Sequence, residues 1–371
     1  MKLSRSVYSA VLALALSASA QETHELLPGA GPTAPHTIQP EGPGPAEGLP
    51  PGAEPVPGVP GAFWHEDVPP GYVLVQGDIQ VRLDDYVAFL GGQEAVFGNV
   101  DFWTTQIVPY DFVTSGSGTV STQDQQDCIA AMAAIAARTG LFFRAGGAHD
   151  PDRIRFQSSN GNNSPVGRQG GTQIINLFNF NTPFVVIHEI YHSLGFWHQQ
   201  SASNRDTYIT INYASICTSA MCCGTSDCST GCAHNFDIVG GASIYGEYDF
   251  DSFMHYDRLA FSDGRCQDTI TVNQPWNAQW QNAIGQRNHF SHWDALVCRG
   301  IYPYTLDYWW QAGASGSGNL VNPIGGSLTN RMATLPPTSV LFIKQSGNYS
   351  AVGVFSNPIT IEAPLGATLG S

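Results

Sequence analysis

The stretch HEIYHSLGFWHQQ, residues 188–200, sets three histidines and one glutamate at fixed intervals. Just upstream, Thr182 followed by Pro183 is a helix start: a capping hydroxyl, then proline at the first helical position. FVVIHEIYHSL continues that helix, and Gly195 then supplies a residue able to take the left-handed conformation and end it. His188 and His192 stand at i and i+4, so both imidazoles project from one face and reach one ion. Glu189 points about 100° further round. It is left free of the metal and able to reach a water held there. A sharp exit at Gly195 lets His198 return as a third ligand. Three neutral nitrogens leave one position open, the arrangement of a catalytic zinc rather than a closed structural one. Zinc acidifies a water in that position, and Glu189 takes its proton. The bland alternative is a helix with two satisfied histidines and a stray third. The longer spacing H-E-x-x-H-x-x-G-x-x-H weighs against it.

The rest of the chain sets the context. Its 371 residues carry 30 acidic against 15 basic side chains, a net charge of −15. That balance argues against a nucleic-acid partner, which needs a basic footprint. MKLSRSVYSAVLALALSASA, residues 1–20, has Lys2 and Arg5, an apolar run and a small-residue end at Ala18-Ser19-Ala20. It reads as a secretory signal, too short for a membrane span, and no later stretch is apolar enough to cross a bilayer. A secreted, extracellular protein is expected. The eight cysteines, Cys128, Cys217, Cys222, Cys223, Cys228, Cys232, Cys266 and Cys298, suit disulfides in an oxidising compartment. Five of them crowd CTSAMCCGTSDCSTGC. A small thiolate zinc site is the alternative for that cluster.

Residues 28–62 are so rich in Pro and Gly that a disordered linker is expected. GYVLVQGDIQVRLDDYVAFLGG then reads as a strand and a helical turn. FWTTQIVPYDFV reads as a strand, and STQDQQDCIAAMAAIAARTG as a helix with Cys128, Met132 and Ile135 on its buried face. LFFRAG, DRIRFQS and GTQIINLF read as three more strands. Beyond residue 306, QAGASGSGN reads as a flexible joint. A small β-rich C-terminal extension, or one rung of a stacked β structure, follows it. Together these predict an α+β domain with a site helix.

At this point the chain resembles the metzincins, zinc peptidases that share the histidine motif. The form DSFMHYD, with Met254, His255 and Tyr256, is similar to the astacin family of zinc metalloendopeptidases. FWTTQIVPYDF, RDTYITINY, YGEYDFDSFMHY, AFS and IGQRNHFSHWDA agree with that family. The resemblance covers about residues 94–305. It implies a two-lobed fold with a twisted mixed sheet above and a largely irregular lower lobe. It implies one zinc ion on His188, His192 and His198, with Glu189 as general base and acid. Met254 would floor the site as its methionine turn. Tyr256 would ligate the resting metal and swing away to stabilise the oxyanion. The expected partner is a protein or peptide substrate, paired antiparallel with an edge strand within GTQIINL. The implied organisation is a signal peptide (1–20), a pro-segment with its linker (21–93), a catalytic domain (94–305) and the extension (306–371). VQGDI at 75–79 resembles the family's Phe-x-Gly-Asp latency motif. Asp78 would fill the place of the water in a latent precursor, although Val75 stands for the aromatic residue.

The chain also departs from the family. Gln199 stands where astacins carry the Glu that holds the new N-terminal amine, and Gln brings no charge. The usual cysteine positions are not met. Cys128 with Cys298 is a candidate replacement bridge, and the other six would cross-link an inserted loop. His149, His234, His289 and His292 read as structural or exposed. Asn162 and Asn348 begin glycosylation sequons. Two other functions stand beside the endopeptidase. One is a non-catalytic zinc-binding protein on a peptidase scaffold. The other is an adhesion protein acting through residues 306–371.

Overall fold

The computed structural model describes residues 49–90, 100–217, 232–263, 267–304, 307–321, 323–336, 338–350, 359–363 and 367–370. The expected signal peptide, the boundary near residue 93, and Cys222, Cys223, Cys228 and Cys266 lie outside them.

The described chain begins with β1 (Glu54–Pro55), β2 (Phe63–Trp64), β3 (Tyr72–Val75), β4 (Ile79–Arg82) and helix α1 (Leu83–Leu90). The upper lobe follows: β5 (Ile107–Phe112), α2 (Thr122–Ala136), β6 (Phe142–Ala145), β7 (Arg153–Ser158), β8 (Ser164–Pro165), β9 (Thr172–Leu177) and α3 (Pro183–Ser193). Strands β6-β5-β7-β9 form one parallel sheet. Alternation explains β7: Ile154 and Phe156 are fully buried, and Arg153, Arg155 and Gln157, which alternate with them, are partly exposed. Helix α2 starts where the Ser121 hydroxyl accepts from Asp124 N (3.2 Å), with the Asp124 charge favoured in the first turn. Its inner face is Cys128, Met132 and Ile135, all buried. These pack with Ile187, Ile190 and Tyr191 of α3 in one core that continues to Phe253 and Met254.

The lower lobe has a two-stranded pair, β10 (Ile209–Ile211) with β11 (Ile270–Val272), then the short α4 (Asn277–Trp280) and α5 (His292–Ile301). Its core gathers Phe236, Tyr248, Phe250, Tyr256 and Phe261. The chain continues through β12 (Asp307–Trp310), α6 (Leu328–Thr334), β13 (Val340–Ile343), β14 (Gly347–Ser350), β15 (Thr360–Glu362) and β16 (Ala367–Gly370). Strands β12, β13 and β15 stack in parallel, as do β14 and β16. This is the stacked form of the expected β-rich extension.

Three expectations change. The Pro/Gly-rich stretch is structured from Leu49 onward, with Leu49, Val56 and Ala62 buried. Its turns present a few apolar residues to two small clusters, one of which includes Val166 and Val239 of the following domain, so the stretch needs no large core of its own. The stretch 311–319 is not a free joint. Trp309 N donates to Gly318 O (2.6 Å) and Leu320 N to Gly300 O (2.7 Å), and Trp309, Leu320 and Phe342 enter the same core as α2 and α3. Finally, the outer edge of β9 is covered. Asn163 bridges Asn176 antiparallel, which places residues 163–165 at the edge, and β4 pairs in parallel with β8. The strands β1 to β4 thus extend across the face where the upper sheet would otherwise end.

Candidate metal and catalytic site

Helix α3 begins at Pro183 after Thr182, whose side chain makes no capping bond; the proline alone marks the start. After Ser193 and Leu194 the chain leaves the helix through Gly195, at φ +107°. A Cβ there would lie 2.8 Å from the Phe102 ring, so the exit depends on glycine. The turn brings His198 back to His188 and His192. All three are buried, with ring centroids 4.6 to 5.3 Å apart.

Each ring is oriented through Nδ1. His188 donates to Phe253 O (3.0 Å), His192 to Phe196 O (2.7 Å) and His198 to Gln76 Oε1 (3.1 Å). These oxygens only accept, so each Nδ1 carries the proton and each Nε2 keeps its lone pair. The Nε2 atoms converge, with His188 3.1 Å from His192 and 3.3 Å from His198. The carboxylate of Asp78 sits at the same point. Oδ2 is 3.2 Å from His188 Nε2, and Oδ1 is 3.2 Å from His198 Nε2 and 3.9 Å from His192 Nε2. Lone pairs and a carboxylate aimed at one point repel unless a cation lies among them. Burial pushes His192 well below the usual imidazole range and lowers His198. Burial opposes ionisation of Asp78, and only positive charge at the cluster, on His198 and the other rings or on a cation among them, holds its carboxyl well below the usual carboxylate range. An ionised acid among rings that resist protonation fits a metal ion better than added protons.

Glu189 lies beside this cluster, fully buried, and neither carboxylate oxygen has a hydrogen-bond partner among the described residues. Burial first, and then the negative charge of Asp78, pushes it well above the usual carboxylate range. Met254 is buried in a tight turn in which its N–H donates to Ser252 Oγ (3.0 Å), and its carbonyl accepts from Gln199 N (2.9 Å). The Tyr256 ring packs 4.6 Å from that of His198, and its hydroxyl donates to Gln76 O. The structure therefore brings together His188, Glu189, His192, His198, Met254, Tyr256 and Asp78.

Several contacts were not legible beforehand. Gln76, at φ +50° and followed by Gly77 at φ +85°, turns the chain so that Asp78 faces the histidines, and its side-chain oxygen also accepts from Ser201 Oγ (3.2 Å). Asp294 of α5 anchors the methionine turn by accepting from Ser252 Oγ (2.6 Å) and Phe253 N (3.1 Å). The available signal was Ser291-x-x-Asp294, a capping box at the start of α5. Gln199 lines a cavity of about 370 Å³ with Val100, Phe102, Glu247, Asp249 and Asp294.

The Cys128–Cys298 bridge is not formed; both are free, buried thiols. They face different neighbours. Asp124 and Asp127 of its own helix lie near Cys128, whereas Cys298 meets Tyr191 and Asp294 and is pushed up to about 12 by burial. Cys217 and Cys232 are disulfide-bonded, which removes two thiolates from the alternative zinc cluster. The Asn162 sequon is closed in the folded chain: the residue is buried, and its Oδ1 accepts from Phe178 N (2.8 Å) and Asn179 N (3.1 Å). His234 pairs with Asp237 (2.7 Å) and His289 with Asp251 (2.8 Å), away from the cluster.

A family model described as Astacin, a peptidase family, matches residues 96–303. High choriolytic enzyme 2 of Oryzias latipes is 35% identical over 153 residues, covering 41% of this chain and 49% of that protein. Tolloid-like protein 1 of Homo sapiens is 37% identical over 144 residues, covering 38% of this chain and 13% of that protein. The first of these matches spans about half the length of its curated relative. Among solved structures, high choriolytic enzyme 1, a hatching enzyme zinc-protease from Oryzias latipes, aligns at TM-score 0.45 and 29% identity, over 54% of this chain and 92% of that one.

Proposed function

The chain belongs to the astacin family of peptidases, and on that premise we propose that it is a secreted zinc-dependent endopeptidase made as a latent precursor. The observation that carries this is the convergence of three Nε2 lone pairs, each fixed by a donated Nδ1–H, beside an unpartnered buried Glu189. Zinc held by His188, His192 and His198 would acidify a water and polarise the carbonyl under attack. Glu189 takes the proton of the attacking water and delivers it to the leaving amine. Tyr256, freed from Gln76, donates its hydroxyl to the oxyanion that develops on the substrate. Met254 forms the apolar floor. The substrate pairs along residues 163–165, the edge that β4 now covers.

Latency rests on the same atoms. Asp78 fills the centre of the histidine cluster, and Gln76 ties off the Tyr256 hydroxyl. Strand β4 runs parallel to β8, opposite to the antiparallel course of a substrate, so it fills the cleft without presenting its own bonds productively. Cleavage between Leu90 and Val100 would release this segment. Gln199 brings no charge for the new amine; the exposed carboxylate of Glu247 in the same cavity supplies it.

The test uses the full chain with a site-specific protease sequence placed within residues 91–99. After cleavage there, hydrolysis of an unfolded protein is followed with and without a zinc chelator, beside Glu189→Ala. Chelator-sensitive hydrolysis that the variant lacks is the expected result. Hydrolysis that persists in the variant, or none from a folded, zinc-loaded parent, sinks the reading and favours a binding scaffold.

A further inference from the structure

We infer that Gln200, His255 and Tyr248 form a clamp on the backbone of Tyr256 and act as positioning residues for its hydroxyl. The inference rests on the peptidase reading and adds residues to it. Both peptide groups flanking Tyr256 Cα are held by buried side chains. The Tyr256 N–H donates to Gln200 Oε1 (3.0 Å). The Tyr256 carbonyl accepts from Nδ1 of His255 (2.7 Å). A carbonyl cannot donate, so that Nδ1 carries a proton, and Nε2 is left to accept the Tyr248 hydroxyl proton at 2.8 Å. The Tyr248 ring is itself fixed, stacked on Tyr208 at 4.7 Å and 11° and set edge-on to Phe250 at 5.0 Å. Arg287 holds the carbonyl of His255 (3.0 Å). Gln200, His255 and Tyr256 are fully buried, so water does not compete for these bonds.

The hydroxyl is held differently. Its partner is the carbonyl of Gln76, an atom of the segment that activation removes. The ring meets His198, Phe236 and Phe261 by aromatic contact alone, at 4.6, 5.8 and 5.6 Å. Departure of Gln76 thus frees the side chain while the backbone stays pinned. The hydroxyl can then turn only about the side-chain bonds of a fixed Cα. Such confinement matters, since a misplacement of about 1 Å costs on the order of a hundredfold in rate. Gln200 also leaves its Nε2 unpaired in the core among the described residues, a cost that an apolar residue would avoid. An apolar residue, however, would leave the Tyr256 N–H without its acceptor.

The test is a double-mutant cycle on the activated full chain: parent, Tyr248→Phe, Tyr256→Phe and both together. Tyr248→Phe keeps the ring and removes one hydroxyl, so it preserves the packing. The expected result is a kcat about tenfold lower with KM within about twofold, the pattern of a transition-state contact. In the Tyr256→Phe background, Tyr248→Phe should cost less than about twofold more, because the group it positions is already gone. Equal losses in both backgrounds overturn the inference, since a purely structural hydroxyl would act alike in each. Amide exchange across residues 253–258 in the metal-free full chain is the second readout. Faster exchange in Tyr248→Phe is expected, and unchanged exchange removes the clamp whether or not the protein hydrolyses anything. If Tyr256→Phe is as active as the parent, the tyrosine has no role to be positioned for, and the inference falls while Glu189 and the zinc site stand.

Discussion

Asp78 is wholly buried against three histidines 110 or more positions further along the chain. Replacing it with alanine removes the carboxylate and leaves β3, β4 and their pairing in place. Asp78→Ala in the uncleaved precursor should hydrolyse an unfolded protein at least tenfold faster than the uncleaved parent, as followed by fluorescence of a labelled casein. A variant precursor as silent as its parent would remove Asp78 from latency. A second residue has a pH signature. Asp249 is raised to about 7 by burial, then by the neighbouring charge of Asp294, against about 3.9 when unfolded. With the folded value higher, its contribution to stability is present below about pH 4 and is lost as pH rises through about 7. Asp249→Asn abolishes that slope, so melting temperatures at pH 5 and pH 8 should lie closer together in the variant than in the parent. The metal ligands and Glu189 were legible at this scale because two ligands and the base share one helix and His198 follows within a few residues of its end. Gln76, Gln200 and Tyr248 were not, because their partners lie 122, 56 and 7 positions away and no periodicity links them.

At the scale of elements, α3 and its exit act as one device. The helix sets two histidines a turn apart, and Gly195 at φ +107° redirects the chain so that the third arrives. Gly195→Ala meets both backbone strain and the Phe102 ring. It should destabilise the fold by roughly 1–3 kcal/mol and lower zinc content below one per chain, measured by thermal melting and metal analysis. Full zinc occupancy in a parent-like fold would show that the exit tolerates a side chain. Local patterning located α2, β5, β6, β7, β9 and α3, since each has its own period or cap. It misjudged residues 49–62, where prolines and glycines that look like a linker shape turns onto clusters contributed by other segments. It also missed that β8 lies outside β9, because two strand residues carry no alternation to read.

Across the whole molecule, the described residues form one compact unit. Phe342 is fully buried and stacks on Trp309 at 4.6 Å, and both join the core that holds α2 and α3. One face of β12 and β13 therefore shares the core of the peptidase domain, while Trp310, Ile324, Leu341 and Ile343 form a cluster with α6. Phe342→Ala should cost about 3–5 kcal/mol, and denaturant unfolding followed by far-UV circular dichroism and by tryptophan fluorescence should give coincident transitions. Separate transitions, with zinc retained through the first, would make the extension an independent unit. No helix among the described residues is long and apolar enough to cross a membrane.

By itself, the sequence determined the site helix, its two ligands and general base, and the helix and strands of the upper lobe. These depend on neighbours within a turn or a pleat, so spacing carries the information. Tertiary structure alone decided that β4 covers the edge at residues 163–165, which residues face Tyr256, and that Cys128 and Cys298 stay apart. Most of those outcomes are set by contacts between segments tens to nearly two hundred positions apart. Packing then chooses among many partners of similar chemistry, and local order leaves that choice open.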